Sequence, residues 1–173
     1  MTEHVATAKR REALALLLKD SHVEVRQAAA QALERLEGKM GLPEILDLLR
    51  KGRLAEKVRA IYALGEIGGP KAVAALVYCA GRPEDDIRSA AIEALGNLAE
   101  PSTAALLVEK LQEPDSALQA KAIQALAKFN DSSLAGHLVG FLAADDGLLA
   151  AEAARALGRI GGPDLEERLV QLT

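Results

Sequence analysis

An Ala-Leu pair falls at 32–33, 63–64, 94–95, 125–126 and 156–157, each pair 31 residues after the last with no insertion or deletion. A strict period of this length constrains the architecture before any local reading. Each repeat must be one small supersecondary unit that buries its apolar side only against its neighbours. Leu36, Ile67, Leu98, Phe129 and Ile160 stand three residues after the leucines, and Ala30, Ile61, Ile92, Ile123 and Ala154 three before. Those spacings make one face of a helix. A second column, Leu14, Ile45, Leu76, Leu107, Leu138 and Leu169, has Leu18, Leu49, Ala80, Leu111 and Leu142 four positions on. Each repeat is therefore expected to be a pair of helices.

The residues between the columns read as helix ends. GEIGGPK (65–71) and GRIGGPD (158–164) close one helix with glycine and open the next with proline, as the left-handed tolerance of glycine and the missing N–H of proline allow. Ser21-His22-Val23-Glu24 has capping-box spacing, and Pro83 and Pro114 share the column of Ser21. First helices are predicted near 7–19, 41–50, 70–81, 101–112, 132–143 and 163–172, and second helices near 22–37, 53–67, 84–99, 115–129 and 146–160.

Composition agrees. Of 173 residues half are hydrophobic, alanine and leucine dominate, and the aromatics are two tyrosines and two phenylalanines. No run alternates apolar and polar residues, so strands are excluded as the main element and the fold class is all-α. The formal charge is −4. The lone Cys79 allows no internal disulfide, the start has no signal-peptide core, and no apolar run reaches membrane length, so a cytoplasmic protein without membrane insertion is expected.

DSHVEVRQAAAQALERLEGKMGLPEILDLL (20–49), VRAIYALGEIGGPKAVAAL (58–76) and DDIRSAAIEALGNLAEPSTAALLVEKL (85–111), followed by looser copies ending at ARALGRIGGPDLEERL (154–169), resemble HEAT repeats of the short type found in phycobilisome lyase subunits. The resemblance implies an α-α superhelix of five helix pairs plus a closing helix over 1–173 as a single domain, with the second helices lining a concave surface. It also implies that Asp20 and Asp85 with Arg26 and Arg88 form a structural ladder between repeats. Two departures stand out: Glu56 replaces the apolar residue of the column Val25, Ile87, Leu118 and Leu149, and the arginine column becomes Lys57, Gln119 and Ala150. The second helix of repeat 2 is accordingly expected to start differently or tilt. Arg11 and Glu166, in the column of Leu42, Val73, Ala104 and Ala135, read as polar end caps, which argue for a complete array and a monomer.

No catalytic constellation is evident. His4, His22 and His137 fall in different repeats, so a shared metal site is not expected, and Cys79 sits in a helix column with Leu17, Leu48 and Phe141, as a packing thiol does. The resemblance raises deoxyhypusine hydroxylase, whose paired His-Glu iron motifs this chain lacks. The glycine clusters follow helices and lack a preceding strand, so they are caps rather than phosphate loops. No enzyme activity and no cofactor are expected.

A surface remains. On the second helices Gln31, Tyr62, Glu93, Gln124 and Arg155 form one column, Gln27, Val58, Ser89, Ala120 and Ala151 lie a turn earlier, and Arg35, Glu66, Asn97, Lys128 and Arg159 lie beside them. Tyr62 and Arg59 are the residue types most often found at interface hot spots. The expected contacts are Arg59, Tyr62, Glu93, Gln124, Lys128 and Arg155, holding a partner protein. Two alternatives stand beside this scaffold reading. One is an accessory subunit of an enzyme such as a bilin lyase, which the resemblance implies. The other is nucleic-acid binding, for which Arg50, Lys51, Arg53, Lys57 and Arg59 speak, but the acidic whole and the want of a basic stripe or aromatic platform speak against it.

Overall fold

The computed structural model describes residues 2–22 and 41–161, with single positions 25, 29, 32 and 36 between them. Residues α1 (Thr2–Leu17), α2 (Leu42–Lys51), α3 (Leu54–Ile67), α4 (Pro70–Ala80) and α5 (Asp85–Leu98) are α-helical. After them come α6 (Ala104–Glu109), α7 (Ser116–Leu126), α8 (Ala135–Leu138) and α9 (Gly147–Ile160). Among the described residues there is no strand. The chain forms two compact units, residues 1–47 and residues 48–173.

In the first unit α1 begins five residues before its expected start and carries no buried side chain from Thr7 onward. Asp20 accepts a hydrogen bond from the His22 N–H at 2.9 Å, so the turn after α1 is capped by Asp20. Val23 and Glu24, the rest of the expected capping box, lie outside the described residues. So do Arg26, most of the second helix expected over 22–37, and the closing helix expected over 163–172 with Glu166.

In the second unit the helix starts keep the period. The second helices α3, α5, α7 and α9 begin at 54, 85, 116 and 147, each 31 residues apart. Their N-caps are Arg53, Glu84, Asp115 and Asp146, one residue after the proline column. Asp115 and Asp146 each accept a backbone N–H two residues on, both at 2.8 Å. Repeat 2 has no aspartate there, and Glu56 takes over: its carboxylate accepts the Arg53 N–H at 2.7 Å. The helix therefore starts in register, and Glu56 is an exposed cap rather than a misplaced core residue.

The core is built column by column. The nine largest fully buried side chains are Ile61, Ile92 and Ile123, Leu64, Leu95 and Leu126, and Leu76, Leu107 and Leu138. Each trio is one position of the repeat. Successive second helices stack, α3 on α5, α5 on α7 and α7 on α9, while α4 packs on α3 and α5. Gly96 makes one of these approaches possible: a Cβ there would lie 2.6 Å from both Cα and Cβ of Ala125. The column is not uniform to the end, because Ala154 on α9 is exposed where Ile61, Ile92 and Ile123 are buried.

The last two first helices among the described residues are broken. Residues 101–103 and 110–112 flank α6 as 3₁₀ turns, and 132–134 and 139–143 flank α8 in the same way. Pro101 opens the earlier segment and the Thr103 hydroxyl donates to the Glu100 carbonyl at 2.8 Å. Gly136 and Gly140 lower the helix propensity of the later one.

Candidate functional site

The exposed face of α3, α5 and α7 carries a polar ladder that crosses from repeat to repeat. The Tyr62 hydroxyl donates to Glu93 Oε2 at 3.4 Å, across one full period. The same oxygen accepts Lys121 Nζ at 2.9 Å. One carboxylate on α5 thus ties a tyrosine on α3 to a lysine on α7. A step along the same face, Lys128 Nζ donates to Asn97 Oδ1, again one period apart.

The electrostatics follow from these partners. The hydrogen bond from Lys121 holds the Glu93 carboxyl below its ordinary value of 4.5 against the opposing effect of burial. Burial, then the neighbouring Glu93 charge, pushes the Tyr62 phenol above its ordinary value of 10.0. At neutral pH Glu93 is therefore a carboxylate and Tyr62 a neutral phenol.

Of the six expected contacts, Tyr62, Glu93 and Lys128 take part in these inter-repeat bonds. Gln124 lies in the column of Tyr62 and is half-buried. Arg155 pairs within its own helix with Glu152 and is 66% exposed. Arg59 is exposed one turn before Tyr62, with no hydrogen bond or ion pair among the described residues. Tyr62 itself is 41% exposed. The face supplies an aromatic ring held by its hydroxyl, a free guanidinium, and fixed charges.

Lys121 was missed. Its separation from Glu93 is 28 residues, three short of the period, and only a search for opposite charges on that diagonal would have found it. The other polar cluster is structural. Arg88 pairs with Asp85 and lies 3.8 Å from Glu113, which also receives Lys110 at 2.8 Å. In the next repeat Gln119, in the column of Arg88, donates to the Leu111 carbonyl at 2.9 Å. These contacts tie second helices to the ends of first helices.

The groups considered for chemistry are apart. Cys79 is buried, and burial pushes its thiol above the ordinary value of 9.0, so it stays protonated at neutral pH. His22 and His137 are both exposed and fall in different units. Among the described residues no three His, Cys, Asp or Glu side chains converge as a metal set would. No helix among them is long and apolar enough to cross a membrane.

Comparison with solved structures places this geometry. The complex of CpcE and CpcF of phycocyanin lyase from Nostoc sp. PCC7120 superposes with a TM-score of 0.61 at 23% identity, covering 93% of this chain and 69% of that one. The Escherichia coli protein YibA gives a TM-score of 0.61 at 16% identity over 99% of this chain and 68% of its own. An engineered protein gives 0.55 at 23% identity over 93% and 84%. At these identities the likeness is one of fold. Comparison with curated proteins gives no match. The family described as HEAT repeats matches at residues 10–96, 43–117, 78–151 and 104–173. With its period, its stacked helix pairs and this match over nearly its whole length, the chain belongs to the HEAT-repeat family.

Proposed function

We propose that the chain is a non-enzymatic scaffold that holds a segment of a partner protein on the exposed face of its second helices. The observation that carries this reading is the Tyr62–Glu93–Lys121 ladder, which fixes side chains from three repeats before any partner arrives. A face ordered in advance loses little conformational entropy on binding. Tyr62 and Arg59 are the anchors, an exposed ring and an uncommitted guanidinium one helical turn apart. Glu93, Gln124, Lys128 and Arg155 extend the contact along the stack. The protonated, buried Cys79 and the dispersed histidines support a binding role over catalysis.

Affinity capture from nuclease-treated lysate of the source organism tests this. Tyr62→Ser with Arg59→Ser is expected to lose a protein that the native form retains, while keeping its helical circular dichroism. Retention of the same proteins by both forms would remove these anchors.

A second reading is an accessory subunit of an enzyme. It is favoured by the fold likeness to the two-chain CpcE–CpcF complex. Mixing the protein with free bilin distinguishes it: a shifted visible absorption spectrum is expected on this reading, and an unshifted one counts against it.

A further inference from the structure

Contacts that an array needs in order to stack recur at its period. The isoleucine and leucine trios of the core do so, as do the Asp115 and Asp146 caps and the ties of Arg88 and Gln119 to the ends of first helices. The ion pair between Glu93 and Lys121 does not. Its diagonal joins Tyr62 to Ala90 one period earlier and Gln124 to Glu152 one period later, so opposite charges meet on it once among the described second helices. They meet beside Tyr62, the one aromatic side chain in its column. A pair that the other repeats stack without belongs to the face it supports rather than to the fold.

The three groups do not hold one another equally. The Tyr62 hydroxyl reaches Glu93 Oε2 at 3.4 Å, long for an O–H···O bond, while Lys121 Nζ reaches the same oxygen at 2.9 Å. Among the influences that keep the Glu93 carboxyl charged, Lys121 comes first and the Tyr62 hydroxyl last. Glu93 and Lys121 are both half-buried, where a bond between charges is screened less than on open surface. The ring is therefore held as firmly as the carboxylate is, and the carboxylate is held by Lys121. Lys121 forms no other ion pair among the described residues.

We propose that Lys121 is a positioning residue for the Tyr62 anchor, acting through Glu93 across three helices; the proposal rests on the scaffold reading and adds what keeps its anchor in place. The bridge runs from α5 to α7, so the anchor depends on the distance between those two helices. That distance is set on the buried side of the same pair, where Gly96 faces Ala125 with no room for a Cβ. A side chain at Gly96 pushes α5 and α7 apart and draws Lys121 away from Glu93. Tyr62 thus stands ready only while repeats 3 and 4 are closely stacked, and a partner seated on it binds the closed stack more tightly than an opened one.

The chain has no tryptophan and two tyrosines, so Tyr78→Phe leaves Tyr62 as the single emitter, and its fluorescence anisotropy decay reports how far the ring moves within nanoseconds. In that background Lys121→Met is expected to enlarge the fast component about twofold and Lys121→Arg to return it to the parent value. Gly96→Ala is expected to enlarge it while keeping helical circular dichroism. Lys71→Met, exposed at the start of α4, is expected to change nothing. Should Lys121→Met fail to fold, Glu93→Ala removes the bridge from its other end and is expected to free the ring equally. A ring held as well in Lys121→Met as in the parent overturns the positioning role, as does a loss that Lys121→Arg does not repair. A ring still held in folded Gly96→Ala overturns its dependence on the α5–α7 distance. In affinity capture, a protein lost with Tyr62→Ser/Arg59→Ser is expected to be retained about two- to tenfold less by Lys121→Met, and equal retention overturns the positioning role. Capture of no protein by the native form is a separate result, which bears on the scaffold itself and leaves the anisotropy to decide on Lys121.

Discussion

Ala99 ends α5 in the left-handed region, at φ 46° and ψ 39°. In the same column Asn130, one period on, takes the same region at φ 53° and ψ 36°, whereas Gly68 and Gly161 have φ 64° and 57° with ψ −165° and 172°. All four second helices of residues 48–161 thus stop on a residue of positive φ, two of them in the left-handed region, and repeat 3 makes that turn with a residue whose Cβ opposes it. That conformation costs an alanine about 1–2 kcal/mol, while glycine adds about 0.5–1 kcal/mol of unfolded-state entropy. Ala99→Gly is therefore expected to raise stability by about 0.5–1 kcal/mol in urea denaturation; a lowered midpoint would contradict the left-handed turn at Ala99. At Glu93 the prediction concerns pH. Because Lys121 holds the folded carboxyl below 4.5, the bond's contribution is present above that value and is lost as pH falls through the folded value. The stability difference between the native chain and Glu93→Gln is expected to be constant above pH 4.5 and to shrink below it. A difference that persists at lower pH would mean that charge is not what Lys121 recognises.

The elements show how a repeat tolerates change at one end and not at another. Gly96 faces Ala125 so closely that Gly96→Ala must push α5 and α7 apart, at a cost of about 1–3 kcal/mol. Gly158, two periods on, has nothing within 4 Å among the described residues, and Gly158→Ala is expected to stabilise α9 by about 0.5–1 kcal/mol. Thermal unfolding of the pair is expected to move in opposite directions, and a shift of the same sign would contradict the packing assigned to this column. Much of this was legible in the chain itself. The Ile61, Leu64 and Leu76 columns were readable because a buried position stays apolar at every period. Position 154 was not, since the burial of a column depends on what stacks against it, and Ala154 is exposed. The 3₁₀ turns around α6 and α8 were also hidden, because the helical spacing of Leu107, Leu111 and Leu138 survives them. Of the candidate site, the columns were legible but the Glu93–Lys121 bond was not: it runs diagonally between helices, off the period.

At the scale of the molecule, an array of this family draws its stability from neighbouring repeats and leaves two layers of helices to meet other molecules. Residues 48–161 place one tyrosine on each layer. Tyr78, on the first helix α4, is 66% exposed beneath the Arg82 guanidinium, whose carbon lies 5.7 Å from the ring centroid. Tyr62, on the second helix α3, is less exposed but anchored to Glu93. Exposure alone favours Tyr78 as the point of contact, whereas a preorganised second-helix face favours Tyr62. The measurement that separates them is photo-crosslinking in cells, with benzoylphenylalanine in place of each tyrosine in turn. The account predicts a protein adduct from position 62, lost when Arg59→Glu is added, and none from position 78. An adduct from position 78 alone, or one from both positions indifferent to Arg59, would contradict it.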